Sequence, residues 1–254
     1  MMKRGAITNI EAIVFDWGDT LVRVPGITTD PQAHFASVRE FFEKEFISSA
    51  LMGTSTWDWD VFQECYRNAA LSLVRKSAQT GLEFDFETRL GLTIEMMDIQ
   101  TRIDGGQLGR LAQKLSKTIT EHCTLVEGAL DVVCALKPYF KLGLLSNYPS
   151  SMVVRQTLKQ FVDRRYFDTM VISADIGVVK PFKQSFNTVV NRLGVKPCNI
   201  LFVGDDLTND MLGAKNIGMK TAWLYQSGQS EEYEFVDIYL ESILDLPNKL
   251  RNKS

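Results

Sequence analysis

The amino-acid sequence predicts an α/β protein, with a doubly wound parallel sheet and an all-helical cap domain inserted after the first strand. From residue 10 to 22, and again from about 126 to 240, short apolar runs alternate with helical patterns. Between residues 28 and 122, amphipathic helical patterns follow one another with almost no strand signal. Because parallel strands need long crossovers, the alternation favours a parallel sheet. We therefore expect a core of residues 1–27 and 123–254 and a cap of residues 28–122.

The core elements follow one another in a regular order along the chain. The first expected strand is EAIVFDW, residues 11–17. After the cap, helices and strands alternate: VEGALDVVCALKPY, FKLGLLSN, PSSMVVRQTLKQFV, DTMVIS, PFKQSFNTVVNRLG, NILFVGDD, LTNDMLGAKNIG and KTAWLY. Gly194 and Gly218 are expected to end the last two helices, as glycine often does. FVDIYL and SILDLPNKL close the pattern.

Four helices are expected in the cap: PQAHFASVREFFEKEF, DWDVFQECYRNAALSLVRKSAQ, FETRLGLTIEMMD and GGQLGRLAQKLSKTITEHC. Four residues of the second helix are expected to share its buried face: Val61, Cys65, Ala69 and Leu73. We expect Trp57 and Trp59 to anchor this helix to the interior of the cap, with a substrate contact as the alternative. His34 and Arg67 are candidate phosphate or substrate contacts, but no pattern separates them from ordinary surface residues.

Composition and charge exclude several classes of function. The 254 residues contain 28 basic and 31 acidic side chains, a net charge of −3, so no basic surplus is available for a nucleic-acid partner. The apolar runs are strand-sized and too short to span a membrane, and MMKRGAITN is not followed by the apolar segment of a secretory signal. The four cysteines are widely spaced, which indicates reduced thiols. We expect a cytoplasmic protein that is a monomer or a homodimer.

Polar residues follow several of the expected strands, at the edge where ligands bind in open parallel sheets. They are Asp16, Ser146, Asn147, Ser173, Asp175, Asp205 and Asp206, and Lys180 follows the strand DTMVIS in the segment GVVKP. Taken one at a time, each has a structural explanation as a turn residue, a helix cap or a solvated charge. Taken together, they bring polar groups from distant parts of the sequence to one edge, which indicates a binding or catalytic site.

The order of these segments resembles the haloacid dehalogenase (HAD) superfamily. Its four motifs match DWGDTL (16–21), LLSN (144–147), VVKP (178–181) and VGDDLTNDMLGAKNIGM (203–219). The fourth match is the most specific, because GDD, Asp210, GA and GM all fall in register. The resemblance implies a Rossmann-like core, with a helical cap where this family carries one. It also implies a Mg²⁺-dependent phosphatase that acts on a small phosphorylated metabolite through an aspartyl-phosphate.

The resemblance assigns roles to individual residues of the core. Asp16 is the expected nucleophile toward phosphorus, a reaction for which a carboxylate is suited. Lys180 would neutralise charge on that carboxylate and on the phosphoryl group. Ser146 and Asn147, with backbone N–H groups at the start of the next helix, would hold phosphate oxygens.

The resemblance also implies a magnesium site. Its expected ligands are Asp16, the backbone carbonyl of Gly18 and Asp205, with Asp206 or Asp210 in support. The chemistry of these residues agrees, because clustered carboxylates repel one another unless a hard cation joins them. Gly18 can serve as a ligand, since a backbone carbonyl needs no side chain.

The first motif departs from the family pattern DxDGT, in which the second aspartate serves as general acid and base. Gly18 stands at the position of that aspartate and Asp19 at the position of the glycine, so the spacing from Asp16 to Thr20 is unchanged. Either Gly18 and Asp19 only form a compatible turn, or Asp19 acts as a substitute acid and base.

Three functions therefore stay open. The first is the phosphatase, working slowly or with Asp19 as the acid. The second is a hydrolase whose leaving group needs no acid, such as a phosphonatase or an acyl phosphatase. A dehalogenase is a weaker match, because that group lacks the metal-binding aspartate of the fourth motif. The third is a non-catalytic protein on this fold that binds a phosphorylated ligand or a protein partner.

Overall fold

The computed structural model describes residues 9–24, 39, 58–97, 105–161, 164–225 and 232–251. Apart from Arg39, the helix expected at residues 31–46 lies outside these residues, and so do His34 and Trp57. The described strands are β1 (Ala12–Phe15), β2 (Val22–Arg23), β3 (Thr124–Leu125), β4 (Lys141–Ser146), β5 (Thr169–Ile172), β6 (Ile200–Gly204), β7 (Lys220–Leu224) and β8 (Ile238–Leu240).

The described helices alternate with the strands of the core and follow one another in the cap. They are α1 (Trp59–Thr80), α2 (Phe86–Met96), α3 (Gly105–His122), α4 (Ala129–Leu136), α5 (Ser151–Phe161), α6 (Ser173–Ile176), α7 (Lys183–Leu193), α8 (Gly213–Lys215) and α9 (Leu246–Arg251). Short 3₁₀ turns lie at Arg164–Tyr166, Pro197–Asn199 and Ile243–Asp245. Within the described part of the chain, no helix has the length and apolar character needed to cross a membrane.

Six of the strands form one parallel sheet in the order β5-β4-β1-β6-β7-β8. β1 lies in the middle, and its four residues AIVF are fully buried because both faces of the sheet are covered. From β1 the chain builds the sheet outward through β4 and β5, and then returns to build the other half from β6. The predicted doubly wound fold is therefore confirmed, and the reversal of strand order falls beside β1, where such sheets bind ligands.

The first described cap helix, α1, buries a face that overlaps the predicted one only at Ala69 and Leu73. Its buried residues are Phe62, Tyr66, Ala69, Ala70 and Leu73. The expectation for Val61 and Cys65 was wrong, because Val61 is 42% exposed and Cys65 is only half-buried. The aromatic rings of Phe62 and Tyr66 remove more apolar surface from water than Val61 and Cys65 would, so they determine the orientation of the helix.

A two-stranded antiparallel ribbon joins the core to the cap. β2 leads toward the cap and β3 returns from it, with Val22 paired to Leu125 and Arg23 paired to Thr124. The N–H of Val126 donates to the carbonyl of Leu21 over 3.0 Å. Both crossings are thus held side by side. The division of the chain at residues 27/28 and 122/123 stays a prediction.

One hydrophobic cluster runs without a break from the sheet into the cap. It contains Phe15 and Trp17 from the first motif and Phe62, Tyr66 and Phe86 from the cap, all of them buried. A second cluster, built around Phe186 and Phe202, covers the opposite face of the sheet. The cap therefore packs directly on the carboxyl edge of the sheet, above the residues of the first motif.

The helix expected after β6 begins as a π-helix, Leu207–Leu212, which leads directly into α8. Asp206 caps its start, and Gly218 follows its end with a φ of 87°, as the sequence predicts. π-helical turns widen a helix locally and are frequent at functional sites. Here the wider turn contains Asp210, one of the expected site residues.

Candidate active site

Most of the expected site residues line a cavity of about 290 Å³ at the carboxyl ends of β1 and β6, but Ser146 is not among the lining residues. Its walls include aspartates of the first and fourth motifs, Asn147, Lys180 and the aromatic residues Trp17 and Tyr148. Asp175 lies elsewhere and pairs with Arg155, whose Nη2 is 2.6 Å from its Oδ2. The edge of the sheet therefore brings together segments that lie up to 194 positions apart, from Asp16 to Asp210.

Lys180 is the buried cation of this cavity, with only 3% of its surface exposed. Its Nζ lies 2.5 Å from Oδ1 of Asp16 and 2.6 Å from Oδ1 of Asp210. Burial alone would lower the pKa of Lys180, but the two carboxylates outweigh it and hold the pKa above its ordinary value. The lysine is therefore charged and joins the carboxylate of the expected nucleophile to that of Asp210.

Asp210 is fixed from two sides. Its Oδ2 accepts the backbone N–H of Asp206 over 3.2 Å, while Oδ1 faces Lys180. Burial raises the pKa of Asp210 to about 8, although Lys180 opposes the shift and the charge of Asp16 adds to it. Lys180 keeps its proton, because a neutral lysine would leave Asp16 charged, buried and unpaired.

The glycine of the fourth motif makes room for Asp210. A Cβ atom on Gly204 would lie 2.2 Å from Oδ2 of Asp210. Gly213 also lacks space, since a Cβ there would lie 2.7 Å from the ring of Phe186 on α7. The close approach of the π-helix to β6 therefore depends on Gly204, and that of α8 to α7 depends on Gly213.

Asp205 completes a group of carboxylates that could hold a metal ion. One carboxylate oxygen from each of Asp16, Asp205 and Asp210 lies within 4.8 Å of the others. Burial raises the pKa of Asp205 to about 7, with repulsion from Asp16 and Asp19 as further causes. Hard oxygen donors with surplus negative charge are what Mg²⁺ prefers, so these residues fit that ion.

Two residues that the sequence interpretation did not single out hold Asp205 in place. Thr20 Oγ1 donates to its carboxylate over 3.3 Å, and Trp223 Nε1 donates to its backbone carbonyl over 2.8 Å. Thr20 could have been found, because it is the threonine of the first motif. Trp223 lies in β7 and is brought there only by the pairing of β6 with β7.

Asp206 does not belong to the carboxylate group. Its Oδ1 accepts the N–H groups of Thr208 and Asn209 over 2.8 and 2.7 Å, so it serves as the cap of the π-helix. The sequence left open whether Asp206 or Asp210 supports the site. The geometry favours Asp210, which contacts Lys180 directly.

Asn147 and Ser146 lie at the end of β4, beside the lysine. The side chain of Asn147 accepts the backbone N–H of Lys180 over 2.7 Å and donates to its carbonyl over 2.9 Å. This amide therefore fixes the backbone of Lys180, whereas the sequence suggested a phosphate contact. Ser146 is 1% exposed.

The two exchanged residues of the first motif differ in backbone conformation. Asp19 has a left-handed φ of 53°, a conformation that favours glycine and that aspartate tolerates better than most residues. A Cβ atom added to Gly18 would meet nothing within 4 Å. The loop thus has space for a side chain at position 18 and a glycine-like backbone at position 19, as the pattern DxDGT would require.

The carboxyl group of Asp19 is exposed at the rim of the cavity. Partial burial raises its pKa above the ordinary value, Arg23 opposes the shift, and Asp16 adds to it. A carboxyl group with a raised pKa is better able to carry a proton near neutral pH. Asp19 therefore remains a candidate acid and base.

The cap residues that the sequence singled out do not line this cavity within the described part of the chain. The ring of Trp59 stacks on Phe62 at a centroid distance of 5.0 Å, and the guanidinium of Arg39 lies 5.8 Å from the Trp59 ring. Phe62 lies on the same helix, so the anchoring role of Trp59 depends on its packing against the hydrophobic cluster and stays a prediction. Arg67 is half-buried on α1.

Known proteins share this sequence pattern. A family model described as haloacid dehalogenase-like hydrolase matches residues 61–224. The chain is 33% identical over 117 residues to pyrimidine 5'-nucleotidase YjjG of Escherichia coli (strain K12), and 29% identical over 138 residues to N-acylneuraminate-9-phosphatase of Homo sapiens. These matches cover 46% and 53% of this chain and 52% and 55% of the relatives. The chain thus spans about half the length of the curated relatives it matches.

Solved structures extend the likeness over the whole fold. HAD-hydrolase YfnB from Bacillus subtilis, bound to magnesium, has a TM-score of 0.64 at 22% identity and covers 96% of this chain and 99% of its own. A 2-haloacid dehalogenase from Pseudomonas syringae pv. Tomato DC3000 has a TM-score of 0.71 at 16% identity, over 96% and 100% of the two chains. These likenesses establish the fold, and the family model covers more than half of the sequence. The chain therefore belongs to the haloacid dehalogenase-like hydrolases.

Proposed function

We propose that the protein is a Mg²⁺-dependent phosphatase that acts on a small phosphorylated metabolite through an aspartyl-phosphate. The observation that carries this proposal is the buried contact of Lys180 with both Asp16 and Asp210, beside Asp205. A buried ammonium group at this point supplies positive charge where a phosphoryl group would meet the nucleophile. The E. coli and human relatives, a nucleotidase and a phosphatase, agree with the proposal.

In the first step, Asp16 would attack phosphorus and form an acyl phosphate while the leaving group departs as an alcohol. Lys180 binds Oδ1 of Asp16, which orients the carboxylate and reduces its repulsion of the phosphoryl group. Water would then hydrolyse the acyl phosphate, which restores Asp16 and releases inorganic phosphate. The alcohol needs one proton, and Asp19 is the candidate donor at the rim of the cavity.

A bound Mg²⁺ would supply charge balance for the phosphoryl oxygens. Asp16, Asp205 and the backbone carbonyl of Gly18 would hold it, with Asp210 in support. Thr20 and Trp223 would keep Asp205 oriented toward the ion through the two hydrogen bonds described above.

The open space at Gly18 favours a second candidate on the same residues. A hydrolase whose leaving group needs no proton donor, such as an acyl phosphatase or a phosphonatase, would have no use for a carboxyl group at this position. A Cβ there meets nothing within 4 Å, so the acid of DxDGT is missing without any steric reason. The two candidates differ in how the rate depends on the basicity of the leaving group.

The test is a hydrolysis screen of the purified protein with an aryl phosphate, alkyl phosphates, pyrimidine 5'-nucleotides and an acyl phosphate, each with Mg²⁺ or with a chelator. We expect phosphate release that requires Mg²⁺. Asp16→Asn should abolish it with the fold unchanged, because Asp16 lies at the ligand edge of the sheet. Asp131→Asn, an exposed aspartate on α4, is the matched control and should keep full activity.

Two results would contradict the proposal. One is substantial phosphate release by the Asp16→Asn variant, which would show that Asp16 is not the nucleophile. The other is full activity in excess chelator together with halide release from a 2-haloacid, which would assign the chain to the dehalogenase branch.

A further inference from the structure

The short segment that connects α1 to α2 lies against the loop that carries Lys180. We call residues 81–83 the strap. The N–H of Glu83 donates to the carbonyl of Gly177 over 3.0 Å, and the N–H of Val179 donates to the carbonyl of Gly81 over 2.9 Å. Leu82 and Val178 form an antiparallel bridge between these two bonds. A segment of the cap is therefore hydrogen-bonded to the residue directly before Lys180.

A side chain of the strap makes a second connection. The carboxylate of Glu83 accepts the hydroxyl of Ser173, at the end of β5. The same hydroxyl oxygen accepts the backbone N–H of Tyr148 over 2.8 Å. Tyr148 directly follows Asn147, whose amide holds the backbone of Lys180 from both sides. Hydrogen bonds and one peptide link thus lead from the cap to the catalytic lysine.

The strap also contacts the chain beyond the lysine. Gly81 ends α1 with a left-handed φ of 78°, and a Cβ there would lie 2.9 Å from the ring of Phe182. Phe182 follows Lys180 by two positions. The strap therefore touches the lysine loop on both sides, through a hydrogen bond at Val179 and through ring packing at Phe182.

We propose that the strap positions Lys180 for catalysis, with Glu83 as a positioning residue that acts through Ser173. The long side chain of lysine has many rotamers, so its placement depends on how firmly its backbone is held. Asn147 holds that backbone from the core, and the strap holds it from the cap. This inference rests on the proposed function, because it assigns the charged contact of Lys180 with Asp16 to the reaction.

The first experiment compares Glu83→Ala with Glu83→Gln, using Glu95→Ala on the exposed end of α2 as the matched control. Loss of the carboxylate should lower kcat about tenfold to a hundredfold and leave KM nearly unchanged, because a displaced lysine affects the reaction more than binding. Glutamine should restore most of kcat, since its amide oxygen can still accept the hydroxyl of Ser173.

Amide hydrogen exchange provides a readout independent of activity. In Glu83→Ala the backbone amides of Val179 and Lys180 should exchange faster than in the wild type, and in Glu95→Ala they should not. Unchanged exchange at both amides, or a rise in KM with kcat unaltered, would overturn the proposal.

A second pair of variants isolates the packing contact. Gly81→Ala and Gly194→Ala both place a Cβ at a helix end with left-handed backbone, at a similar cost in stability. Only the change at Gly81 pushes against Phe182, because a Cβ on Gly194 meets nothing within 4 Å. We expect kcat to fall in Gly81→Ala alone, and an equal fall in both variants would refute the strap.

The two proposals fail in different ways. If the wild-type protein hydrolyses none of the phosphate substrates with Mg²⁺ present, the proposed function fails. The exchange rates of Val179 and Lys180 still decide whether the strap and Glu83 hold the lysine loop.

Discussion

At the scale of single residues, the first motif keeps a family-like backbone while two side chains have exchanged places. Gly18 could accept a side chain without a clash, whereas Asp19 occupies a left-handed conformation with a φ of 53°. A residue other than glycine pays about 1 kcal/mol for this conformation, although aspartate is among the most tolerant. The exchange therefore has no steric cause, and the position of Asp19 at the rim of the cavity gives it a possible function.

The exchange leads to a prediction about leaving groups. If the acid is missing because of Gly18, the double change Gly18→Asp with Asp19→Gly should raise the rate on alkyl phosphates by about a hundred- to ten-thousand-fold, because general acid catalysis has that typical value. The rate on an activated aryl phosphate should stay nearly constant and serves as the internal control. Stability should change by less than about 1 kcal/mol, since Gly18 has free space and Asp19 leaves a strained conformation.

The single change Asp19→Asn separates the remaining explanations. If Asp19 is the substitute acid, the alkyl rate should fall by one or more powers of ten while the aryl rate is retained. A wild-type enzyme equally fast on both ester types and indifferent to Asp19→Asn would rule out any role for this loop in proton transfer.

The raised pKa of Asp205 leads to a prediction of how the stabilising effect of Mg²⁺ depends on pH. Its pKa in the fold is about 7, above the value of 3.8 expected without the fold. The folded state therefore binds the proton of the Asp205 carboxyl group more tightly than the unfolded state does. Protonation of Asp205 thus stabilises the fold at low pH, and this stabilisation is lost as pH rises from about 4 toward 7. Mg²⁺ competes with the same proton, so its stabilising effect should grow over this range.

The measurement is the melting temperature with and without Mg²⁺, between about pH 6 and about pH 8, the range that covers the raised pKa values of Asp205 and Asp210. We expect the increase caused by Mg²⁺ to be larger at the higher pH. Asp205→Asn should remove most of this increase, whereas Asp131→Asn should leave it intact. A Mg²⁺ effect independent of pH would contradict the assignment of Asp205 as a ligand.

At the scale of elements, the π-helix after β6 is the feature that places Asp210. Its wider turn, capped by Asp206, turns the carboxylate of Asp210 toward Lys180 while the side chain packs on Gly204. The sequence predicts an ordinary α-helix here. The π-helix replaces it at the point where the site needs the side chain of Asp210 to face Lys180. The fit of β6 against this helix is therefore part of the site.

Gly204→Ala tests this fit. A Cβ at position 204 would lie 2.2 Å from Oδ2 of Asp210, so the carboxylate must move and lose its contact with Lys180. We expect activity to fall about a hundredfold, with a loss of about 1 to 3 kcal/mol in the free energy of unfolding from overpacking. Gly105→Ala, where nothing lies within 4 Å, should change neither quantity. Wild-type activity in Gly204→Ala would show that Asp210 is not needed in its present position.

At the scale of the whole molecule, the cap and the core share their interior. The ring centroid of Tyr148 lies 4.8 Å from that of Trp17 in the first motif and 6.1 Å from that of Phe86 in the cap. All three residues belong to or border one hydrophobic cluster. The β2–β3 ribbon and the strap add backbone hydrogen bonds across the same boundary. We therefore expect the protein to unfold in a single cooperative transition, although its sequence reads as a core with an insertion.

Phe86→Ala tests how the shared interior affects function. Removing this buried ring should lower the free energy of unfolding by about 3 to 5 kcal/mol, which differential scanning calorimetry can measure. It should also lower kcat, because Tyr148 lines the cavity and loses its neighbour from the cap. Leu193→Ala, in the cluster on the opposite face of the sheet, should lower the free energy of unfolding by about 2 to 5 kcal/mol and leave kcat nearly unchanged. Two separate transitions in the wild type would mean that the cap and the core fold independently.

The sequence by itself determined the fold class and which residues share the ligand edge of the sheet. Apolar runs of strand length alternating with amphipathic segments specify a parallel sheet, because hydrophobic periodicity is local and can be read along the chain. The site residues Asp16, Lys180 and Asp205 follow from the same logic, since the carboxyl ends of parallel strands meet at one edge. Aspartates clustered at such an edge already indicate a hard cation and an anionic substrate.

Only the tertiary structure decided how these residues are held. Asn147 binds the backbone of Lys180, Trp223 holds Asp205, and Glu83 reaches Ser173 from the cap. These contacts join segments between 18 and 90 positions apart, and no periodicity or motif records which distant atoms will meet. The buried face of α1 was wrong in the sequence interpretation for the same reason, because competition between Phe62 and Val61 for the interior is settled by packing against other elements.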